Sequence, residues 1–450
     1  MSAHAFMFFY YFLEVTRMKL FGTMEVKENT LYIGGVNTEE LRKTYGTPLY
    51  VMDEAAIETQ MQTFTTHFSS NTFESRVLYA SKAFLNLYIA GLAKKNNLFI
   101  DVVSGGELFT VLRAGFNPKK IYFHGNNKTY DELNFATDEN VGTIILDNRY
   151  EYEMLNGLLN EKDKTQRVMV RVNPDIDTDT HKYIQTTKED SKFGFNMYKD
   201  ETLEFIKTLE ADERIDFAGI HCHIGSQIFD DTSFYLEAKK MAEYAKQLNE
   251  TLGREVEEIN LGGGFGVYYT EGDTPLDLTE FLPKYTAHIE SVFQEYGISP
   301  KIVSIEPGRS MVNNFGSTLY TIGAIKKTAE DLTFLLVDGG MNDNMRPAMY
   351  EAKYEAYLTN KMNEAPSIHY KVAGKLCETG DVLIEDVQLP EATPGDLLIT
   401  PSTGAYAYSM SSNYNRMTRP AVLFVKDGET KVAVRRETYE DLIRNDEVME

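Results

Sequence analysis

Cysteine is nearly absent. Only Cys222 and Cys377 occur in 450 residues, with no CxxC spacing. That excludes a disulfide framework and a cysteine-built zinc site, and it fits the reducing cytoplasm. Positive charge is also short. Lys and Arg total 45 against 68 Asp and Glu, giving a formal net charge of −23 and a pI near 4.9. Such acidity favours solubility and argues against a nucleic-acid partner, whose binders carry a basic face. Long apolar runs are missing as well. Phe6–Leu13 is too short to span a bilayer and meets Glu14 and Arg17 at once, without a basic flank or cleavage site. Residues 1–23 therefore read as an extension outside the fold, before a truer start at Met18 or Met24. No membrane partner is expected. No internal repeat or low-complexity segment is present, and Arg444–Glu450 reads as a solvated acidic end.

What the chain does have is alternation. Its length suits two domains. Eight short runs rich in Val, Ile, Leu or Phe recur between residues 77 and 305: Val77–Ala80, Leu98–Val103, Lys120–Phe123, Gly142–Leu146, Arg167–Val172, Asp216–His223, Glu257–Leu261 and Lys301–Ile305. Such runs suit strands buried on both faces. Helical patterns lie between them, among them Gly105–Ala114, Tyr150–Asn160, Thr202–Ala211, Ser233–Leu252 and Leu278–Tyr296. Eight β-then-α units predict a (β/α)8 barrel over residues 51–310. A doubly wound sheet is the rival, with fewer strands. Beyond residue 311 the runs Ser317–Ile325, Thr333–Val337, His369–Val372, Asp396–Ile399, Ala421–Val425 and Lys431–Val434 predict a mostly β domain, joined by residues 24–50.

In such barrels chemistry sits at the C-terminal strand ends. Here those ends carry Lys82, Asp101 and Ser104, His124, Asp147, Arg171, His221 and His223, Gly262–Gly264, and Glu306 with Arg309. Ser104 and Asp147 serve equally well as helix caps. An amine, an imidazole, a glycine turn and a carboxylate at strand ends suit a pyridoxal phosphate site. A Schiff-base lysine needs a rigid mount, which Lys82 has, although a lone lysine is more often surface. A carboxylate such as Glu306 keeps the ring nitrogen protonated and the electron sink deep, as decarboxylation requires. Its other reading is a salt bridge to Arg309. Gly262, Gly263 and Gly264 bare their N–H groups for a phosphate, with Ser226 as a further donor; a flexible turn looks the same. His221 and His223 share one strand face. No carboxylate or cysteine completes a metal set nearby, so no metal is expected. His221 suits a hydrogen-bonded core position and His223 a ring stacked on the cofactor. In the second half, Arg346 offers a carboxylate-binding fork, Cys377-Glu378 a thiol beside a carboxylate, and Tyr406 a phenol.

Together these motifs resemble the diaminopimelate decarboxylase family of alanine-racemase-like, fold type III pyridoxal phosphate enzymes. The marks are Tyr79–Ala83, Asp101–Glu107, His124–Lys128, His223–Gln227, Glu306–Arg309, Met341–Tyr350 and Cys377–Asp381, and the likeness runs from about residue 25 to 440. Two departures are mild: Lys375 stands where proline is common, and the first 23 residues lie outside the pattern. The resemblance implies that Lys82 bonds the cofactor aldehyde and His223 stacks on its ring. Glu306 would hold the ring nitrogen. Gly262, Gly263, Gly264, Ser226 and Tyr406 would surround the phosphate, with Asp101, Gly308 and Arg309 completing the cofactor shell. Arg309, Arg346, Tyr350, Glu378 and Tyr406 would bind substrate, and Cys377 would donate the proton that replaces carbon dioxide. The reaction implied is meso-2,6-diaminopimelate to L-lysine and carbon dioxide, in a homodimer where Cys377 and Glu378 enter the partner's site. The rivals are a decarboxylase of ornithine, arginine or carboxynorspermidine, a racemase, which Glu306 disfavours, and a non-catalytic regulator, which would have lost Lys82 or Cys377.

Overall fold

The computed structural model of the protein describes residues 18–176, 191–328 and 332–449. The apolar run Phe6–Leu13 lies outside them. The described residues divide into two compact units, one within 54–316 with 402–410, the other within 18–53, 317–401 and 411–449.

The first unit is a closed parallel barrel. Its strands are β1 (Glu74–Ala80), β2 (Phe99–Val102), β3 (Ile121–Phe123), β4 (Thr143–Leu146), β5 (Gln166–Asn173), β6 (Ile215–His221), β7 (Glu258–Asn260) and β8 (Ile302–Ile305). Each pairs with the next, and β8 closes onto β1 with Ile305 opposite Val77. These are the eight runs expected from sequence. Helices follow the strands: α1 (Leu87–Lys95), α2 (Gly105–Arg113), α3 (Tyr130–Asp138), α4 (Arg149–Lys162), α5 (Asp200–Glu210), α6 (Asp231–Leu252), α7 (Leu278–Tyr296) and the short α8 (Arg309–Val312). Their starts have local causes. Ser104 caps α2 by accepting from Glu107 N, and Asn148, rather than Asp147, caps α4.

Leu78, Tyr122, Ile145, Met169 and Ala218 form one apolar layer across five strands. Beside it lies a buried polar knot. Tyr122 and Ser304 donate to Glu258 Oε1 at 2.8 and 2.5 Å, and Arg167 donates to Oε2 at 3.0 Å. An unpaired carboxylate there would be costly; three donors satisfy it.

The second unit is mostly β. One sheet contains Leu49–Asp53, Gly316–Lys327, Thr333–Val337, Ile368–Ala373, Val382–Leu389, Ala421–Lys426 and Glu429–Val434, and a three-stranded sheet spans Glu25–Asn37. Residues 18–23, read above as part of an extension, belong to this unit. Met18 is buried among Leu31, Leu319 and Leu423, and Thr23 donates to Asp53. The sequence window hid this, because isolated contacts such as Met18 carry no periodicity. No helix among the described residues is long and apolar enough to cross a membrane.

Candidate active site

Lys82 leaves β1 in a single 3-10 turn, Ser81–Ala83. The turn is held on both sides. Ser81 N donates to Asp101 Oδ1 at 3.2 Å, and Ser81 Oγ to Glu107 Oε2 at 3.1 Å. The Ala83 carbonyl accepts from Tyr406 N at 2.8 Å and from Ser409 Oγ at 3.1 Å. Lys82 lines a cavity that it shares with His223, Ser226, Gly264, Glu306, Arg309 and Tyr406; Gly308 also reaches it. Asp101, on β2, is buried beneath. Burial and repulsion from Glu306 push its carboxyl up to about 7, against the pull of His124 and Lys82.

Glu306 ends β8 out of solvent. Asn260 Nδ2 donates to its Oε1 at 2.8 Å, His124 Nε2 lies 2.9 Å from the same oxygen, and His221 Nε2 lies 3.1 Å from Oε2. Burial alone would favour the neutral acid. The two imidazoles outweigh it and hold the carboxyl well below its usual range. His221 itself is pushed down to about 4 by burial, so at neutral pH it is an uncharged donor to Glu306. Two sequence readings are corrected here. Glu306 makes no ion pair with Arg309 among the described residues; it faces the histidines. A carboxylate does complete a possible ligand set with His221, since His124, His221 and Glu306 present ligand atoms within 4.8 Å of one another. Folding unites residues that sit far apart in the chain.

His223 is held neutral, first by burial and then by Lys82 and Arg171. Its Nδ1 accepts from Gly263 N at 3.3 Å. The glycines after β7 are obligatory. A Cβ on Gly263 would stand 2.2 Å from the Glu306 carbonyl oxygen, and one on Gly264, whose φ is +113°, 2.6 Å from the Gly225 carbonyl. Arg309 donates from Nε and Nη2 to Ser226 Oγ at 3.2 and 3.0 Å, and its guanidinium lies 4.6 Å from the Tyr406 ring centre. Asp147 and Arg171 stand 4.0 Å apart, with Asp147 accepting from Gly194 N.

The other candidates lie on the second unit. Arg346 begins a short helix, Arg346–Tyr350, is buried, and donates to Tyr354 OH at 2.6 Å. Cys377 and Glu378 are exposed. Their loop is fixed by Asp381, which accepts from Leu376 N at 2.8 Å and Met341 N at 2.6 Å. Sequence reasoning missed Asn260 as a Glu306 partner. Its place at the end of β7 was the available signal.

Pyridoxal phosphate presents an aldehyde, a basic ring nitrogen and a dianion. The cavity offers an amine, an ionised carboxylate, and a glycine cradle beside an arginine. The residues fit the group. An amine and an ionised carboxylate in the mouth of a parallel eight-stranded barrel define the class, a pyridoxal phosphate-dependent barrel enzyme. Comparison with known proteins agrees. Residues 54–313 match the family described as pyridoxal-dependent decarboxylase, pyridoxal binding domain. The diaminopimelate decarboxylase of Bacillus subtilis is 45% identical over 430 residues, covering 95% of this chain and 98% of its own. That of Staphylococcus aureus is 40% identical over 427 residues, 94% of this chain and all of its own. The crystal structure of the M. jannaschii diaminopimelate decarboxylase with L-lysine superposes with a TM-score of 0.87 at 34% identity, covering 95% of this chain and 98% of that one. The chain belongs to the diaminopimelate decarboxylase family.

Proposed function

We propose that the protein decarboxylates meso-2,6-diaminopimelate to L-lysine and carbon dioxide, the last step of lysine biosynthesis. The observation that carries this is the 45% identity to a diaminopimelate decarboxylase across nearly both whole chains. The side-chain chemistry supports it.

Bound pyridoxal phosphate supplies the sink for the electron pair that carbon dioxide leaves behind. Lys82 would hold the cofactor at its aldehyde end through its ε-amino group. Glu306, kept ionised by its buried neighbours His124, His221 and Asn260, would hold the ring nitrogen and favour its protonated form. His223, uncharged in its buried setting, would lie against the ring without adding positive charge. The Gly262, Gly263 and Gly264 turn, Ser226, Arg309 and Tyr406 would receive the phosphate, with Asp101 and Gly308 closing the shell. Cys377 gives its thiol proton to the carbon that lost carbon dioxide. Arg309, Arg346, Tyr350, Tyr406 and Glu378 recognise the substrate; a distal carboxylate and ammonium call for both arginine and glutamate.

A thiol acid and a carboxylate exposed on their own unit need cover to work away from water. We assign Cys377 and Glu378 to the site of a second copy, making the enzyme a homodimer, and place it in the cytoplasm, where free thiols stay reduced. The test is to incubate the purified protein with pyridoxal phosphate and meso-diaminopimelate and assay lysine. No lysine, with ornithine or arginine consumed instead, would reject the assignment.

A further inference from the structure

The guanidinium of Arg309 is held on two sides. Ser226 takes Nε and Nη2, as described, and Nη1 donates to the Tyr269 hydroxyl at 2.5 Å. That hydroxyl donates onward to Asn313 Oδ1 at 3.0 Å. Asn313 Oδ1 also accepts from Ala405 N at 3.3 Å, and the Asn313 carbonyl accepts from Gly404 N at 3.1 Å. The loop lies hard against this backbone: a Cβ on Gly404 would stand 2.0 Å from the Val312 carbonyl oxygen. A relay of hydrogen bonds thus runs from Arg309 through Tyr269 and Asn313 to the loop that presents Tyr406. Tyr269 and Asn313 are both buried, and neither lines the cavity.

An arginine left free must lose rotamer freedom when it meets an anion; one fixed beforehand does not. Tyr406 sits at φ +61°, a backbone setting that an untethered tyrosine would leave. We propose that Tyr269 and Asn313 are positioning residues that preform the anion cup and set affinity for the phosphate end of the cofactor without touching it. This rests on the reading of Arg309, Ser226 and Tyr406 as the phosphate side of the site.

The experiment titrates apoprotein with pyridoxal phosphate and, separately, with pyridoxal, following the cofactor's absorbance. Tyr269→Phe and Asn313→Ala are each expected to weaken pyridoxal phosphate about tenfold, the scale of one hydrogen bond to a charged group, and to leave pyridoxal within about twofold. The double variant should be little worse than either single one, because both cut the same relay. Equal weakening of both ligands, or no weakening, overturns the proposal. Should Asn313→Ala fail to fold, Tyr269→Phe, which keeps the ring, decides alone. Wild-type protein that binds both ligands equally would instead reject the phosphate reading. Discrimination in the wild type that Arg309→Ala reduces and Tyr269→Phe does not would sink the relay only.

Discussion

Asp343→Asn isolates one buried proton. Asp343 lies wholly out of solvent in the loop before Arg346. Burial pushes its pKa from 3.8 up to about 8; the Gly340 N–H opposes this, Asp338 and Asp381 add repulsion, and Arg436 pulls the other way. The protonated form has an acceptor at hand. Asn342 Nδ2 donates to Asp343 Oδ1 at 2.7 Å, while Asn342 Oδ1 has no partner among the described residues. Turning that amide over lets a protonated Asp343, or an asparagine amide in its place, donate instead. Below 3.8 the carboxyl keeps its proton in folded and unfolded chains alike. Between 3.8 and about 8 the unfolded chain ionises and the folded one does not. The stabilisation is therefore full at low pH and lost as pH rises through the folded value. The gap from 3.8 to about 8, at about 1.36 kcal/mol per pH unit, bounds that loss at roughly 6 kcal/mol. The asparagine variant lacks this titration. Urea unfolding followed by circular dichroism, from about pH 5 to about pH 9, should show wild-type stability falling relative to the variant by more than about 2 kcal/mol. Parallel curves for the two proteins would refute the reasoning.

Three other outcomes are expected. Gly263→Ala forces a Cβ to 2.2 Å from the Glu306 carbonyl, so it should abolish the cofactor's absorbance band and lower the melting temperature. Cys377→Ala should slow turnover by about 10²–10⁴-fold, the usual worth of a positioned acid, with the absorbance band intact; loss of the band would make the thiol structural. Arg346→Ala should raise KM for diaminopimelate by roughly 10–100-fold through a lost charged contact, and an unchanged KM in steady-state assays would remove it from the substrate site.

The barrel was legible because a strand buried on both faces writes itself as a short Val, Ile and Leu run, and eight such runs stand between Val77 and Ile305. Lys82, His223 and Glu306 stood out because each ends such a run. The pairing of Glu306 with its partners did not, although His124 and His221 also end strands. His221 lies 85 residues away and Asn260 lies 46, and no periodicity links them. Polar residues inside apolar packing were equally hidden. Glu237, on α6, is fully buried and accepts the Cys222 thiol at 3.0 Å, yet in sequence it looks like any solvated helix position. The same holds for Lys128 with Glu151, a buried pair at 3.1 Å.

The segment 402–410 counts with the barrel although the chain has left that unit at residue 316. On the ribosome, all eight strands emerge long before Tyr406 does. A nascent barrel would close its sheet while the Ala83 carbonyl still lacked its two donors from Tyr406 and Ser409. An isolated fragment of residues 54–316 would therefore be a scaffold missing one wall.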